Sequence, residues 1–208
     1  MHNDHINIQW EYEGKPDVLL GNGATQAEQM LAWSAGLIVA CLYVYYAVTG
    51  ILKWLFWQVL LAMLIASDVG SGVVANSLNS CKRFYHTPAK ATEPGYVHFA
   101  KNHLAFSALH VYPILIGLLY GTEHWFYGVF WYAFLMVGTV IILKTPLYLR
   151  RPVAIFAILL ALIVNADFIQ PVPGFVWFAP ALCLKILYGH LVREEPYRPQ
   201  EIQTGFTG

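Results

Sequence analysis

The chain is expected to be all-α, a polytopic integral membrane helix bundle of about six transmembrane helices with both termini in the cytosol. Three observations lead there. Of its 208 residues 58% are hydrophobic and only 12% are charged, about half the charged share of an average soluble domain. The apolar residues gather into six runs close to the roughly 20 residues needed to cross the hydrocarbon: Leu31 to Gly50, Trp54 to about Asn79, Tyr96 to Tyr120, Trp125 to Leu143, Val153 to Ile169 and Phe175 to Leu191. The basic residues also sort by loop. Lys82, Arg83, Lys90 and Lys101 flank the second loop, Lys144, Arg150 and Arg151 fill the fourth, and Arg193 and Arg198 follow the last run, whereas the first, third and fifth loops together carry only Lys53. The positive-inside rule then puts the even loops and both ends in the cytosol. Trp54, Trp57, Trp125 and Trp177 fall at the outer ends, where an amphipathic ring is favoured. Basic residues dispersed around apolar spans do not make a nucleic-acid patch.

Residues 1–29 form a cytosolic N-terminal segment. Ile6, Ile8, Trp10 and Tyr12 alternate with Asn7, Gln9, Glu11 and Glu13, the period of a strand with one apolar face. No basic start leads into an apolar core and cleavage site, so no removable signal peptide is expected. His2 and His5 read as inert, because histidines on a frayed terminus rarely hold a metal. Gly21-Asn22-Gly23 breaks the chain, and Thr25 stands three before Glu28, the spacing of a reciprocal helix cap. The first helix should start near Gln26.

The bundle occupies 30–192. Its last two runs are short and bounded by turn signals, Arg150-Arg151-Pro152 and Gln170-Pro171-Val172-Pro173-Gly174. Cys41, Cys81 and Cys183 have no paired spacing, so neither a disulfide nor a zinc knuckle is expected. Aromatics around Phe126, Tyr127, Phe130, Trp131 and Tyr132 read as helix packing and interfacial belt, and Glu123 and His124 as solvated surface. Residues 193–208 form a charged, proline-broken cytosolic tail, read as solvated and lying at the headgroups.

One group of residues suggests chemistry. In the second run Asp68, Gly72, Asn76, Asn79 and Arg83 follow at steps of four, four, three and four, which stack on one helical face. An aspartate at the helix centre costs about 2.5 to 3.5 kcal/mol on insertion scales, so this stripe should turn into the bundle. Ser67, Ser71 and Ala75 make a small-residue seam beside it. The third run carries His103, Ser107 and His110, with His98 and His86 upstream. At 1.5 Å per residue Asp68 and His110 both fall near the midplane, and Asn76 and His103 about 10 Å nearer the cytosol. Pro113 should free the carbonyl of Leu109 and Pro180 that of Val176. Lys185 lies near mid-depth, where Asp68 would neutralise it, and His190 at the cytosolic end. Asn165 and Asp167 belong to an outer layer.

Three readings follow. In the first, Asp68, His103 and His110 are catalytic and, with His86, hold zinc or iron that activates water or dioxygen against a lipid or other hydrophobic substrate. Asn76, Asn79, Lys82, Arg83 and Lys185 would then bind a headgroup-bearing molecule, although the closely spaced HxxxH, HxxHH and HExxH boxes are missing. In the second, the same residues carry protons as a substrate crosses a small proton-coupled transporter. Six helices without a visible repeat would need an oligomer to complete a pathway. In the third, the polar residues are interhelical glue in an accessory subunit. Membrane lipids are the expected partners, nucleic acid is not, and the bacterial plasma membrane is the expected location.

Overall fold

A computed structural model of the chain describes residues 6–121 and 124–199. His2, His5 and Glu123 lie outside the described residues. The fold is mostly helical. Four helices are long and apolar enough to cross a membrane, α1 (Gln26–Thr49), α2 (Phe56–Ala75), α7 (Trp125–Lys144) and α8 (Leu147–Asp167). A bent pair makes a fifth candidate.

α1 begins where its cap directs. Thr25 Oγ1 accepts from the Glu28 amide while Glu28 reaches back to the Thr25 amide, and the helix ends at Gly50 in the left-handed region. Its buried residues, Ala32, Gly36, Ala40 and Tyr43, recur every three or four positions and face α2. Closeness explains the small residues. A β-carbon at Gly36 would meet the Ser67 carbonyl at 2.8 Å and Ser71 Cβ at 3.0 Å, so the serine seam receives α1. α8 buries only Ala154, Ala161 and Asn165. Much of its remaining surface, including Ile155, Phe156, Leu159, Leu162 and Ile163, is exposed. An apolar helix so little covered by protein is suited to lipid.

Three of the six runs depart from simple spans. The second ends at Ala75, and a turn separates it from α3 (Asn79–Tyr85). Ser77 takes part in that break, its hydroxyl donating to the Val73 carbonyl at 2.9 Å. The expected stripe is therefore cut, and Asn79 and Arg83 leave the face that carries Asp68. The third run is broken at Asn102, which caps α5 by accepting from the Ala105 amide at 3.1 Å. α4 (Gly95–Lys101) meets the segment His103–Leu119 at 83°. That segment is α5 (His103–Ala108) and α6 (Tyr112–Leu119), interrupted beside Pro113, which occupies the first turn of α6. The Leu109 carbonyl accepts from the Val111 amide at 2.8 Å. The sixth run is helical only over α9 (Phe178–Cys183) and a π-helix continuing from it, Leu184–His190, and is shorter than a full span. The carbonyl that Pro180 frees, that of Val176, accepts from Asn165 Nδ2 at 2.8 Å, so Asn165 joins α8 to this last element.

α3 is the hub of the polar end, and Ser80 to Tyr85 are all buried. Ser80 Oγ donates to the Leu20 carbonyl at 2.5 Å and Tyr85 Oη to that of Val18 at 2.7 Å, which holds the N-terminal segment down. Gly21, at φ 75°, lies against the Ser80 backbone, where a side chain would have no room. Ile6–Ile8 pairs antiparallel with Tyr197–Pro199. The expected strand is thus real over these residues, and the tail that read as a solvated strip is tied to it. At the opposite end Trp54 stacks on Tyr43 and Phe175, and Tyr43 Oη donates to the Gly174 carbonyl. All three cysteines are free. Gly36→Leu should wedge α1 from α2 and lower stability in detergent by about 1–3 kcal/mol. Thermal unfolding checks this, and an unchanged midpoint would refute the close approach.

Candidate functional site

Two layers of polar side chains meet between α2, α5 and the last element. In the deeper layer Lys185 Nζ lies 2.5 Å from Asp68 Oδ2, with the lysine side chain 4% and the aspartate 43% exposed. Lys185 Nζ also donates to the Asp68 carbonyl at 3.3 Å. Gly72 makes the approach possible, because a β-carbon there would overlap the Lys185 stem. One turn on, Asn76 Nδ2 donates to the Lys185 carbonyl at 3.1 Å. These residues are the part of the stripe that stays on α2.

His110 completes this layer. Its Nδ1 bonds the Phe106 carbonyl at 2.8 Å, and a carbonyl can only accept, so Nδ1 carries the proton and Nε2 presents a lone pair. The Tyr112 ring packs against it.

The shallower layer is a histidine cluster. His103 Nδ1 and His190 Nε2 are 2.9 Å apart, one donating and the other accepting as their tautomers dictate. The His86 ring lies against His103 with centroids 5.0 Å apart. Tyr85 stands edge-on to His190, and Phe106 stacks on it at 4.0 Å. Phe106 also touches His110 at 5.0 Å, so one phenyl ring separates the two layers. His190 Nδ1 is buried without a hydrogen-bond partner among the described residues. Burial draws the His86 imidazole down to about 3, helped by the neighbouring His103 and Lys82.

His86 opens this cluster to a cleft. A cavity of about 660 Å³ at the polar end is lined by Trp10, Tyr12, His86, Lys90, Lys101 and Arg193 among others. The aromatic wall comes from the N-terminal segment, which α3 holds in place. Lys101 Nζ pairs with Glu93 at 3.2 Å on the far side.

Lys82 and Arg83 are not at a mouth. Lys82 is buried and donates to the carbonyls of Gly189 at 2.6 Å and Val192 at 2.8 Å, closing the end of the π-helix. Burial pulls its ammonium down to about 8 against the attraction of Glu194. Arg83 Nε and Nη2 donate to the Asn22 and Gly23 carbonyls. Asn79 starts α3, apart from the α2 face. Both cations therefore hold the polar end together.

The four residues expected to hold a metal are divided between the layers, Asp68 and His110 in one, His86 and His103 in the other. Among the described residues no three His, Cys, Asp or Glu side chains are grouped to hold one ion. Asp68 is engaged by Lys185, and His103 by His190.

His190 and Phe106 are the members the sequence under-weights. Five residues apart, Lys185 and His190 would sit about 140° apart on an α-helix. The π-helix winds more slowly and brings them toward one side. Phe106 looks like any apolar helix residue until its contacts with the rings of His110 and His190 are known. Comparison with protein-family models, curated proteins and solved structures finds no match to this chain.

Asp68→Asn should strand a buried ammonium and cost about 3 kcal/mol or more, whereas Lys185→Met leaves only a half-exposed carboxylate and should cost less. Equal losses in thermal unfolding would contradict the difference in burial. A depressed imidazole contributes stability that is present above pH 6.5 and lost as pH falls through the interval toward about 3. Acid unfolding of His86→Gln should be flatter across that interval. A slope identical to wild type would show that His86 stays accessible to protons.

Proposed function

We propose that the chain is a six-span cell-membrane protein with both ends in the cytosol that carries protons between Asp68 and the polar-end cleft as a substrate crosses, a small proton-coupled transporter. The supporting observation is the Asp68–Lys185 pair. It sits within the apolar helices, with the lysine buried and the carboxylate nearly half exposed. A carboxylate open to hydrocarbon is costly, so its free face belongs in a water-filled or substrate-filled opening.

The basic residues of the second and fourth loops and the tail support the orientation, and the short last element crosses as a sixth span in company with α8 and α2. From Asp68 the route runs through His110, past Phe106, to His190, His103 and His86 at the cleft. A neutral imidazole has one donor and one acceptor. Proton entry at one nitrogen with release from the other therefore moves a proton along the hydrogen-bonded His103–His190 pair without leaving net charge in it. Phe106 keeps the layers apart at rest, so transfer across it requires its ring to turn or a water to enter. An oligomer would supply any pathway that one bundle cannot complete.

A second reading, an enzyme acting on a headgroup-bearing lipid, is favoured by His86. That imidazole lies on the cleft wall, and histidine is the side chain used most often for proton transfer to a bound substrate.

Purified protein in vesicles containing a pH-sensitive dye separates the readings. With a small-molecule extract of cell cytosol trapped inside as the source of substrate, wild type should dissipate an imposed pH gradient under a balancing potassium potential faster than with buffer alone, Asp68→Asn should stop it, and His190→Gln should slow it at least tenfold. Phe106→Ala should raise the uncoupled leak. Vesicles as tight as protein-free controls would sink the transport reading. Release of headgroups from mixed phospholipids by wild type, and not by His86→Ala, would instead establish the enzyme.

A further inference from the structure

A second cleft, sharing Trp10 and Arg193 with the one at His86, opens beside the start of α8. Its volume is about 470 Å³ and it is lined by Trp10, Leu147, Arg151, Arg193, Glu194 and Glu195, a size in the range of small-ligand sites. We propose that this cleft holds the phosphate of a phospholipid headgroup between the guanidinium groups of Arg151 and Arg193.

The charges of the cleft are unequal in availability. Glu194 is occupied from three sides. Its Oε1 accepts from Tyr188 Oη at 2.9 Å and lies 3.3 Å from Arg151 Nη2, while Oε2 is 3.8 Å from the buried ammonium of Lys82. Two arginines and two glutamates line the cleft, and the buried Lys82 behind Glu194 brings the group as a whole to one net positive charge. The Arg151 side chain is 59% exposed although one nitrogen is engaged. The Arg193 guanidinium lies 4.4 Å from the centre of the Trp10 ring, which fixes its plane while leaving its edge donors for a ligand. Guanidinium forks suit the paired oxygens of a phosphate.

The setting favours a lipid as the source of that phosphate. The cleft wall is Leu147, the first residue of a helix suited to span a membrane, and Leu147 and Tyr148 are 54% and 80% exposed. Acyl chains have apolar surface to follow from the cleft along α8. Glu195, on the rim, is placed to meet the amine of a zwitterionic headgroup. The phosphate-binding role expected of Lys82 and Arg83 thus moves to arginines that, among the described residues, are not engaged with backbone carbonyls.

Native mass spectrometry of the full chain in detergent, titrated with phosphatidylethanolamine, tests this. Wild type should retain at least one lipid adduct that Arg151→Gln/Arg193→Gln binds about tenfold or more weakly, as expected for lost charge-assisted hydrogen bonds. Arg193→Gln alone, which leaves the Arg151–Glu194 contact intact, should lose part of that affinity. Inorganic phosphate at millimolar concentration should not displace the adduct. Displacement by phosphate alone would keep the anion site but make a free phosphate its source, overturning the lipid assignment. Equal lipid retention by wild type and both variants would overturn the site.

Discussion

Lys185 enters the bundle only because Asp68 meets its charge and Gly72 leaves room for its stem. An ammonium this deep among apolar helices is stable when paired and costly when alone. The pair also sets geometry. It fixes the last element against α2, and Asn76 adds a second tie one turn away by donating to the Lys185 carbonyl. With that element placed, its π-helical end carries His190 to His103, and its final carbonyls fall within reach of Lys82.

The polar end is built on the same principle. α3 is seven residues long and far too short to persist alone. It is held by side chains that supply donors to loop carbonyls on both sides. Ser80, Arg83 and Tyr85 reach the N-terminal segment, and Lys82 reaches the end of the π-helix. Two cations that look like surface charge in a linear reading therefore act as internal donors, each satisfying backbone that would otherwise be buried without a partner. The cleft beside His86 exists because this arrangement holds Trp10 to Pro16 over the loop that follows α3.

Breaks in helices place the chemistry. The bend at Asn102 puts His103 at the first turn of α5, facing the last element. The interruption before Pro113 separates His110 from the helix that follows. The π-helix shifts the register of Lys185 and His190. Irregular turns of this kind are common where side chains must converge, because a regular helix fixes their spacing too rigidly. Phe106, packed on a histidine of each layer, gives the cluster an apolar partition that distinguishes it from a continuous polar core.

Composition and pattern alone determined the helical, membrane-suited character of the chain, the start of α1 at its capping box, the small-residue seam on α2, and the partnership of Asp68 with Lys185. These follow from short-range rules: hydrophobic run length, cap spacing, the cost of an isolated charge. The neighbours of Lys82 and Arg83, the splitting of the metal candidates into two layers, and the importance of His190 and Phe106 were decided by tertiary structure. Each depends on where a helix breaks or changes register. A break shifts every later side chain around the axis, and it is set by competition between local hydrogen bonds and packing partners distant in sequence.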